Sequence, residues 1–359
     1  MVHFASVFNE LARSITIKKG RSCKDNIRRE AAGELAKGAR KNNLILCSSG
    51  IVNSECSNNL ASTFTQRGKK GVNQDRIIVW KEFGCQEDMI FCGVFDGHGP
   101  WGHIVAKWVR ELMPSSLLCS WQETLALSSI NQKFALDSDK SLHQFDIWKQ
   151  SYLKTCATID QELEQCPGID SFFSGTTALT IVKQGKLLVI ANVGDSRAVL
   201  ATTSEEGNLI PIQLTVDFKP NLPQEAARIE ESKGRVICLR DEPGVYRLWK
   251  PNGGAPGLAL SRAFGDFCMK DYGLISVPEV MERNITSKDQ FIILATDGLW
   301  EVITNQEAVQ IVSSTRDREK AARKLVDCAI HAWKLKRQGI AMDDISAICL
   351  FFHTSSRTS

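Results

Sequence analysis

The run Ile90-Phe91-Cys92-Gly93-Val94-Phe95, closing on Asp96-Gly97-His98-Gly99, decides how the rest of this chain is read. An unbroken apolar stretch of that length fits a strand buried on both faces. It stops at an aspartate, and two glycines then bracket a histidine. Glycine admits backbone conformations and close approaches that a Cβ would block, so the sequence predicts a strand end leading into a tight, exposed turn. Such a turn offers a carboxylate, free carbonyls and an imidazole at one sheet edge, a set that suits a hard metal ion and a proton donor. Asp-Gly is also one of the commonest turn pairs, and a single instance marks a turn and no more.

Outward from that stretch, the same grammar returns. Leu187–Val193 ends at Gly194-Asp195-Ser196-Arg197, and Phe291–Thr296 ends at Asp297-Gly298-Leu299-Trp300-Glu301. Asp343-Asp344 precede the apolar run Ile345–Phe352, and Asp75 precedes Arg76-Ile77-Ile78-Val79-Trp80. If these strand ends share one rim, Asp75, Asp96, Asp195, Asp297 and Asp343 crowd together, and like charges that close cannot all stay ionised without a cation. All-oxygen ligands select Mg²⁺ or Mn²⁺ over zinc. Two such ions about 3.5–4 Å apart would acidify a bridging water and clamp a phosphoryl oxygen for in-line hydrolysis. An imidazole nearby could protonate the leaving oxygen, and Lys70 could hold the outer phosphate oxygens. Read singly, each aspartate is a cap or turn residue and Lys70 a solvated charge; five acids in the same setting argue against that reading.

Composition sets the frame. The 359 residues suffice for one large domain or two ordinary ones, with apolar and charged fractions of an ordinary globular protein. Net charge is +3, too small for a nucleic-acid binder, but it is unevenly placed: residues 1–45 carry net +6, leaving −3 for the remainder. Twelve cysteines occur without a Cys-x-x-Cys pair, which favours a reducing compartment, cytoplasm or nucleus, over a disulfide framework. No apolar stretch is long enough to cross a bilayer, and the N-terminus reads as neither signal peptide nor myristoylation site.

Along the chain, residues 1–60 read as a separate basic leader. Phe4, Val7, Phe8, Leu11 and Ile15 fall at helical spacing, and a basic stretch to Lys41 follows. A solvated leader, a nuclear-import signal and contact with an acidic membrane surface all remain open for it. Strands are expected at 62–67, 76–83, 90–95, 179–182, 187–193, 198–201, 291–296 and 345–352. Helices are expected at 101–113, 145–165, 220–233, 305–313 and 317–335. Residues 235–257, rich in Gly and Pro, read as a long surface loop or flap. Within it Tyr246 and Trp249 either meet substrate or a partner, or anchor the loop to its own domain. The tail, 355–359, is expected to fray.

Together, Gly68…Asn73-Gln74-Asp75, Phe95-Asp96-Gly97-His98-Gly99, Ser174-Gly175-Thr176-Thr177-Ala178, Asn192–Arg197, Leu260-Ser261-Arg262-Ala263-Phe264-Gly265-Asp266, Ala295–Trp300 and Asp343-Asp344 resemble the metal-dependent type 2C serine/threonine protein phosphatases. The motifs appear in the family's order, and the wording around Asn73 and Asp241–Tyr246 is similar to plant members. Ser261-Arg262-Ala263-Phe264-Gly265 differs from the pattern of the group inhibited by abscisic-acid receptors, so that complex is not expected. The resemblance implies an α+β fold, a central sandwich of two antiparallel β-sheets flanked by pairs of α-helices, as a catalytic domain over 61–354. It implies a binuclear Mg²⁺ or Mn²⁺ centre in which Asp96 bridges beside the Gly97 carbonyl, Asp297 and Asp343 bind directly and Asp75 binds through water. Asp195 and Glu301 would form a weaker third site, with Thr177 on the metal-site rim and His98 as general acid. Three departures stand out: Lys70 replaces a phosphate-binding arginine, Gln74 an acid common in animal members, and Glu301 an aspartate. A monomer acting on phosphoproteins is expected; the rival is a pseudophosphatase that binds phosphoproteins without turnover.

Overall fold

The computed structural model describes residues 43–47, 60–131, 140–240, 242–254 and 257–353. The expected N-terminal helix, the basic stretch to Lys41, Asp241 and the tail lie outside the described residues. Two sheets stack face to face. The first runs β1 (Asn43–Cys47), β3 (Arg76–Lys81), β4 (Met89–Phe95), β7 (Ala178–Gln184), β8 (Leu187–Val193), β14 (Glu279–Asn284), antiparallel except for β1 on β3. The second runs β10 (Leu209–Gln213), β9 (Arg197–Thr203), β15 (Asp289–Ala295), β16 (Ile345–Phe351), β2 (Ala61–Gln66), antiparallel throughout. β1 falls inside the stretch read as a separate leader.

Alternation with period two sorts each strand between two cores. From β4, Ile90, Cys92 and Val94 enter the layer between the sheets, while Met89, Phe91 and Phe95 face a helical layer. From β16, Ile348 and Leu350 enter the inter-sheet layer, and Ala347, Cys349 and Phe351 turn to the other helices. The helices are α1 (Gly102–Asn131), α2 (Lys140–Glu164), α3 (Pro223–Glu231), α4 (Phe267–Lys270), α5 (Asp297–Trp300), α6 (Asn305–Ser314) and α7 (Ala321–Lys336). α1 and α2 cover the first sheet, and α6 and α7 the second, giving the expected α-β-β-α layering.

Three local readings are corrected. α1 runs through Pro114 instead of stopping at 113, because Leu117, Leu118 and Trp121 stay buried beyond it. Trp121 stacks on Trp148 of α2 with ring centroids 5.0 Å apart, and this packing outweighs the missing backbone donor. β10 and β14 escaped the sequence reading: they are edge strands, partly exposed, and lack the continuous apolar run of the central ones. Residues 235–257 are not a plain loop but carry the hairpin β11 (Arg235–Cys238) with β12 (Tyr246–Trp249), extended by a bridge from Leu248 to Leu258. Its buried Leu248 joins Ile229, Leu258 and Leu260 in a small separate core, so the Gly and Pro residues mark turns rather than a structureless segment. No helix among the described residues is long and apolar enough to cross a membrane.

Candidate active site

Ladder register carries the acids to one end of the sandwich. Arg76 pairs with Phe95, so Asp75 and Asp96 stand just beyond the same end of β3 and β4. Ala178 pairs with Val193, placing Thr177 and Asp195 at that end. Ala295 pairs with both Arg197 and Ala347, which adds Asp297 and the Asp343-Asp344 pair. The result is a cleft of about 360 Å³ whose lining includes Asp96, Asp195, Asp297, Asp343 and Asp344, with Lys70, Gly97 and His98. Asp75 does not open onto it. That residue is fully buried, its Oδ2 accepting from Thr296 Oγ1 at 2.9 Å while Oδ1 has no partner.

The carboxyls feel one another. Burial, then the charges of Asp75, Asp297, Asp343 and Asp195, hold Asp96 well above the usual carboxylate range. Burial, then Asp195 and Asp343, push Asp297 up to about 8, with Lys219 opposing. Burial raises Asp75 to about 7 against the hydrogen bonds it receives. Lysines answer part of this charge: Lys70 Nζ donates to Asp343 and Lys219 Nζ to Asp195. Among the described residues no three His, Cys, Asp or Glu side chains already close around one point as a metal shell. The chemistry of the set nevertheless fits hard divalent cations: all-oxygen donors whose charged forms are disfavoured by desolvation and by one another, with a spare Oδ1 on Asp75.

Around the acids, three short strands assemble the rest. β5 (Gly97–His98) pairs with β6 (Gly175–Thr176), which pairs with β13 (Phe264–Gly265). This sheet sets His98 Nε2 2.5 Å from Asp266 Oδ2, with Asp266 fully buried and His98 partly open to the cleft. Burial works against charge on the imidazole, but Asp266, then Asp195 and Asp297, carry its pKa above the usual value. Asp266 holds φ 50°, a left-handed conformation uncommon outside glycine. The pair leaves no space at residue 175: a Cβ there would stand 2.1 Å from Asp266 Oδ2 and 2.7 Å from His98 Nε2. Lys70 is presented by a loop that the Asp344 carboxylate grips through the Gly68 and Gln74 N–H groups, both at 2.7 Å. Gly68 packs so tightly on the backbone of Asp343 that a Cβ would come within 2.4 Å.

Other sequence-predicted residues land differently. Thr177 is buried and does not line the cleft; its Oγ1 accepts from the Asp96 N–H at 3.0 Å, so it positions the central acid. Glu301 lies outside the cleft lining, exposed, 3.7 Å from Arg337, although its charge still reaches Asp297. Neither Tyr246 nor Trp249 lines the cleft. Trp249 packs on Gly257 as an anchor, Tyr246 is exposed, and Arg247 between them reaches the cleft wall. Sequence reasoning passed over Asp266, Lys219, Arg247 and Phe173. Asp266 ends a quoted motif, directly after a glycine, and that placement was the available signal; the pairings themselves join residues too far apart in sequence to read.

A family model described as Protein phosphatase 2C matches residues 60–333. Curated relatives include "Probable protein phosphatase 2C 73" of Arabidopsis thaliana, 63% identical over 99% of this chain and 96% of that one. Another is "Probable protein phosphatase 2C 48" of Oryza sativa subsp. japonica, 52% identical over 99% of each. Among solved structures, the serine-threonine phosphatase 2C from Toxoplasma gondii superposes with a TM-score of 0.71 at 26% identity, covering 82% of this chain and 94% of that one. A C. elegans sex determining protein shares the fold, with a TM-score of 0.60 at 23% identity over 81% and 64% of the two chains. With strand-end acids gathered at one end of an α-β-β-α sandwich, and relatives matched along the whole length, this chain belongs to the protein phosphatase 2C family, is of the plant type and is a protein-serine/threonine phosphatase.

Proposed function

We propose that this chain hydrolyses phosphoserine and phosphothreonine in proteins at a binuclear Mg²⁺ or Mn²⁺ centre at the end of the sandwich, in a domain that takes in β1 as well as 61–354. The observation that carries the reading is the convergence of Asp96, Asp297 and Asp343 on one cleft, with Asp75 buried behind them, a crowding of like charge that divalent cations would relieve. Asp96 and the Gly97 carbonyl, with Asp297 and Asp343, would hold the two ions; Asp75 would act through water, and Asp195 with Glu301 would hold a weaker third. When bound, the ions supply charge for the phosphoryl oxygens and a water acidified enough to attack in line. His98, held through Nε2 by Asp266 and partly open to the cleft, delivers the proton to the leaving serine or threonine oxygen from its other nitrogen, Nδ1. Lys70 exchanges Asp343 for the outer phosphate oxygens, as a point charge rather than a fork. Nine cysteines among the described residues are free, in keeping with the cytoplasm or nucleus.

The test is turnover of a phosphothreonine peptide with Mn²⁺, with EDTA and with Asp96→Asn. Activity that needs Mn²⁺ and disappears in the variant is expected. Turnover unchanged by EDTA or by the substitution ends the reading. Calorimetric titration showing no strong Mn²⁺ site would point instead to a phosphoprotein-binding scaffold.

A further inference from the structure

Among the described residues, the exposed aromatic side chains are Trp101, Phe172, Phe173 and Tyr246, one of them in the lining of the catalytic cleft. Phe173 lines it, Trp101 donates its N–H to Ser174 beside Phe173, and Tyr246 precedes the cleft residue Arg247. Phe172 and Phe173 are 50% and 44% exposed, and their rings meet edge to face with centroids 4.8 Å apart. Neither ring is needed to fill a core. Their backbone is nonetheless fixed: Ser171, Phe172 and Ser174 carbonyls accept from the N–H groups of Phe267, Cys268 and Asp266. Two apolar rings are thus held out to water by the segment that carries the partner of His98, an arrangement expected of a recognition surface.

Phe172 also walls a second cavity of about 380 Å³, together with Ile169 and Phe267. Its lining also includes Glu164, Asp170 and Asp271. The one cation in its lining, Lys270, is engaged by Asp160 at 2.6 Å and the Ala263 carbonyl at 2.8 Å. The second cavity therefore combines three apolar side chains with three carboxylates, and the ring pair joins it to the cleft.

We propose that Phe173 and Phe172 form the floor of a substrate lane from the catalytic cleft to this second cavity. Its occupant is an apolar residue flanked by lysine or arginine in the phosphoprotein substrate. The ring pair plus a contact distance on either side spans a length that extended chain covers in about three or four residues, which sets the separation from the phosphorylated residue. The identity of the occupant rests on the phosphatase reading; the lane itself does not.

The experiment uses the full chain and Phe172→Ser. Fluorescence anisotropy compares two peptides that carry a non-hydrolysable phosphonate in place of phosphoserine, one with Leu-Arg at the stated separation and one with Ala-Ala. The unaltered chain should favour the Leu-Arg peptide about tenfold, and Phe172→Ser should remove most of that preference. Matching phosphopeptides should show the same ratio in kcat/KM, while turnover of p-nitrophenyl phosphate stays equal in both proteins. Equal binding of the two peptides, a preference that survives Phe172→Ser, or loss of p-nitrophenyl phosphate turnover in the variant overturns the lane. So does a concentration-dependent dimer in light scattering that Phe172→Ser abolishes, since the rings would then serve a second copy. Selective binding without any turnover keeps the lane and removes the phosphatase reading; turnover without selectivity does the reverse.

Discussion

The acid wall of the cleft and the hairpin that supplies Arg247 are held by different means. Asp96, Asp195, Asp297 and Asp343 sit one or two residues beyond the ladders of two packed sheets, so the register of those ladders fixes them. The β11–β12 hairpin rests on the small core around Leu248 and on a charged knot below it. In that knot Glu225, nearly fully buried, accepts from Arg228, Arg262 and Ser261 Oγ. Burial alone would raise Glu225, but hydrogen bonds from Arg262 and Arg228, then Ser261, bring it down to about 2. One wall concentrates like charge that Lys70 and Lys219 answer only in part, and the other neutralises its charge to stay folded. The contrast separates a fixed reaction centre from a substrate-facing surface that can vary without disturbing it.

The largest expected effect falls on the acid wall. Asp96→Asn should lower kcat on a phosphopeptide on the order of 10³-fold, by removing the electrostatic centre of the site. The same variant in EDTA should resist urea at least as well as the parent, since one member of a repelling cluster is gone. An Asp96→Asn protein less stable than the parent would mean that the repulsion is not real. Next comes Asp266→Asn, which should reduce kcat by about 10²-fold with little change in KM, as His98 loses the partner that orients and charges it. Its pH profile should shift to lower pH, because the raised imidazole pKa depends on that carboxylate first among its neighbours.

On the other wall, Glu225→Ala should cost about 3–5 kcal/mol in urea unfolding by stranding two arginines. The two walls should also respond to pH in opposite directions. A carboxyl whose folded pKa is raised weakens folding as pH climbs past its unfolded value near 4, with the loss complete above the folded value. Asp75 at about 7 and Asp297 at about 8, facing Asp195, Asp343, Lys219 and Glu301, should therefore make the metal-free protein lose thermal stability from about pH 4 to pH 8. Mn²⁺ should flatten that slope in calorimetry. Glu225, lowered to about 2, contributes stability that is present above the usual carboxylate range and lost as pH falls through about 2. The smallest effect is expected from Lys70→Arg, a two- to threefold drop in KM for a phosphopeptide from the forked donor, at roughly 0.5 kcal/mol.

What was legible in the sequence follows the same division. The central strands announce themselves because both faces of Met89–Phe95 and Ile345–Phe351 are buried, and each acid stands where its own strand stops. Local grammar therefore sufficed for Asp96, Asp297 and Asp343. Pairings set by topology were hidden: His98 meets Asp266 across 168 residues, and Asp195 meets Lys219 only once β9 and β10 have paired. The hairpin misled for a related reason. Tyr246 and Trp249 were the conspicuous side chains, yet Ile237 opposite Arg247 sets the register, and the residue between the two aromatics reaches the cleft.

The parallel pairing of Asn43–Cys47 with Ile77–Lys81 has a practical outcome for anyone shortening this protein. The family match begins at residue 60, and a truncation there would strip β1 from the sheet. The bared N–H and C=O groups of Arg76–Lys81, set among buried Ile77, Ile78 and Val79, would form a sticky margin open to strand addition by another molecule. Chains cut at residue 60 should precipitate or form β-linked aggregates at concentrations where chains retaining residues 43–47 stay dispersed.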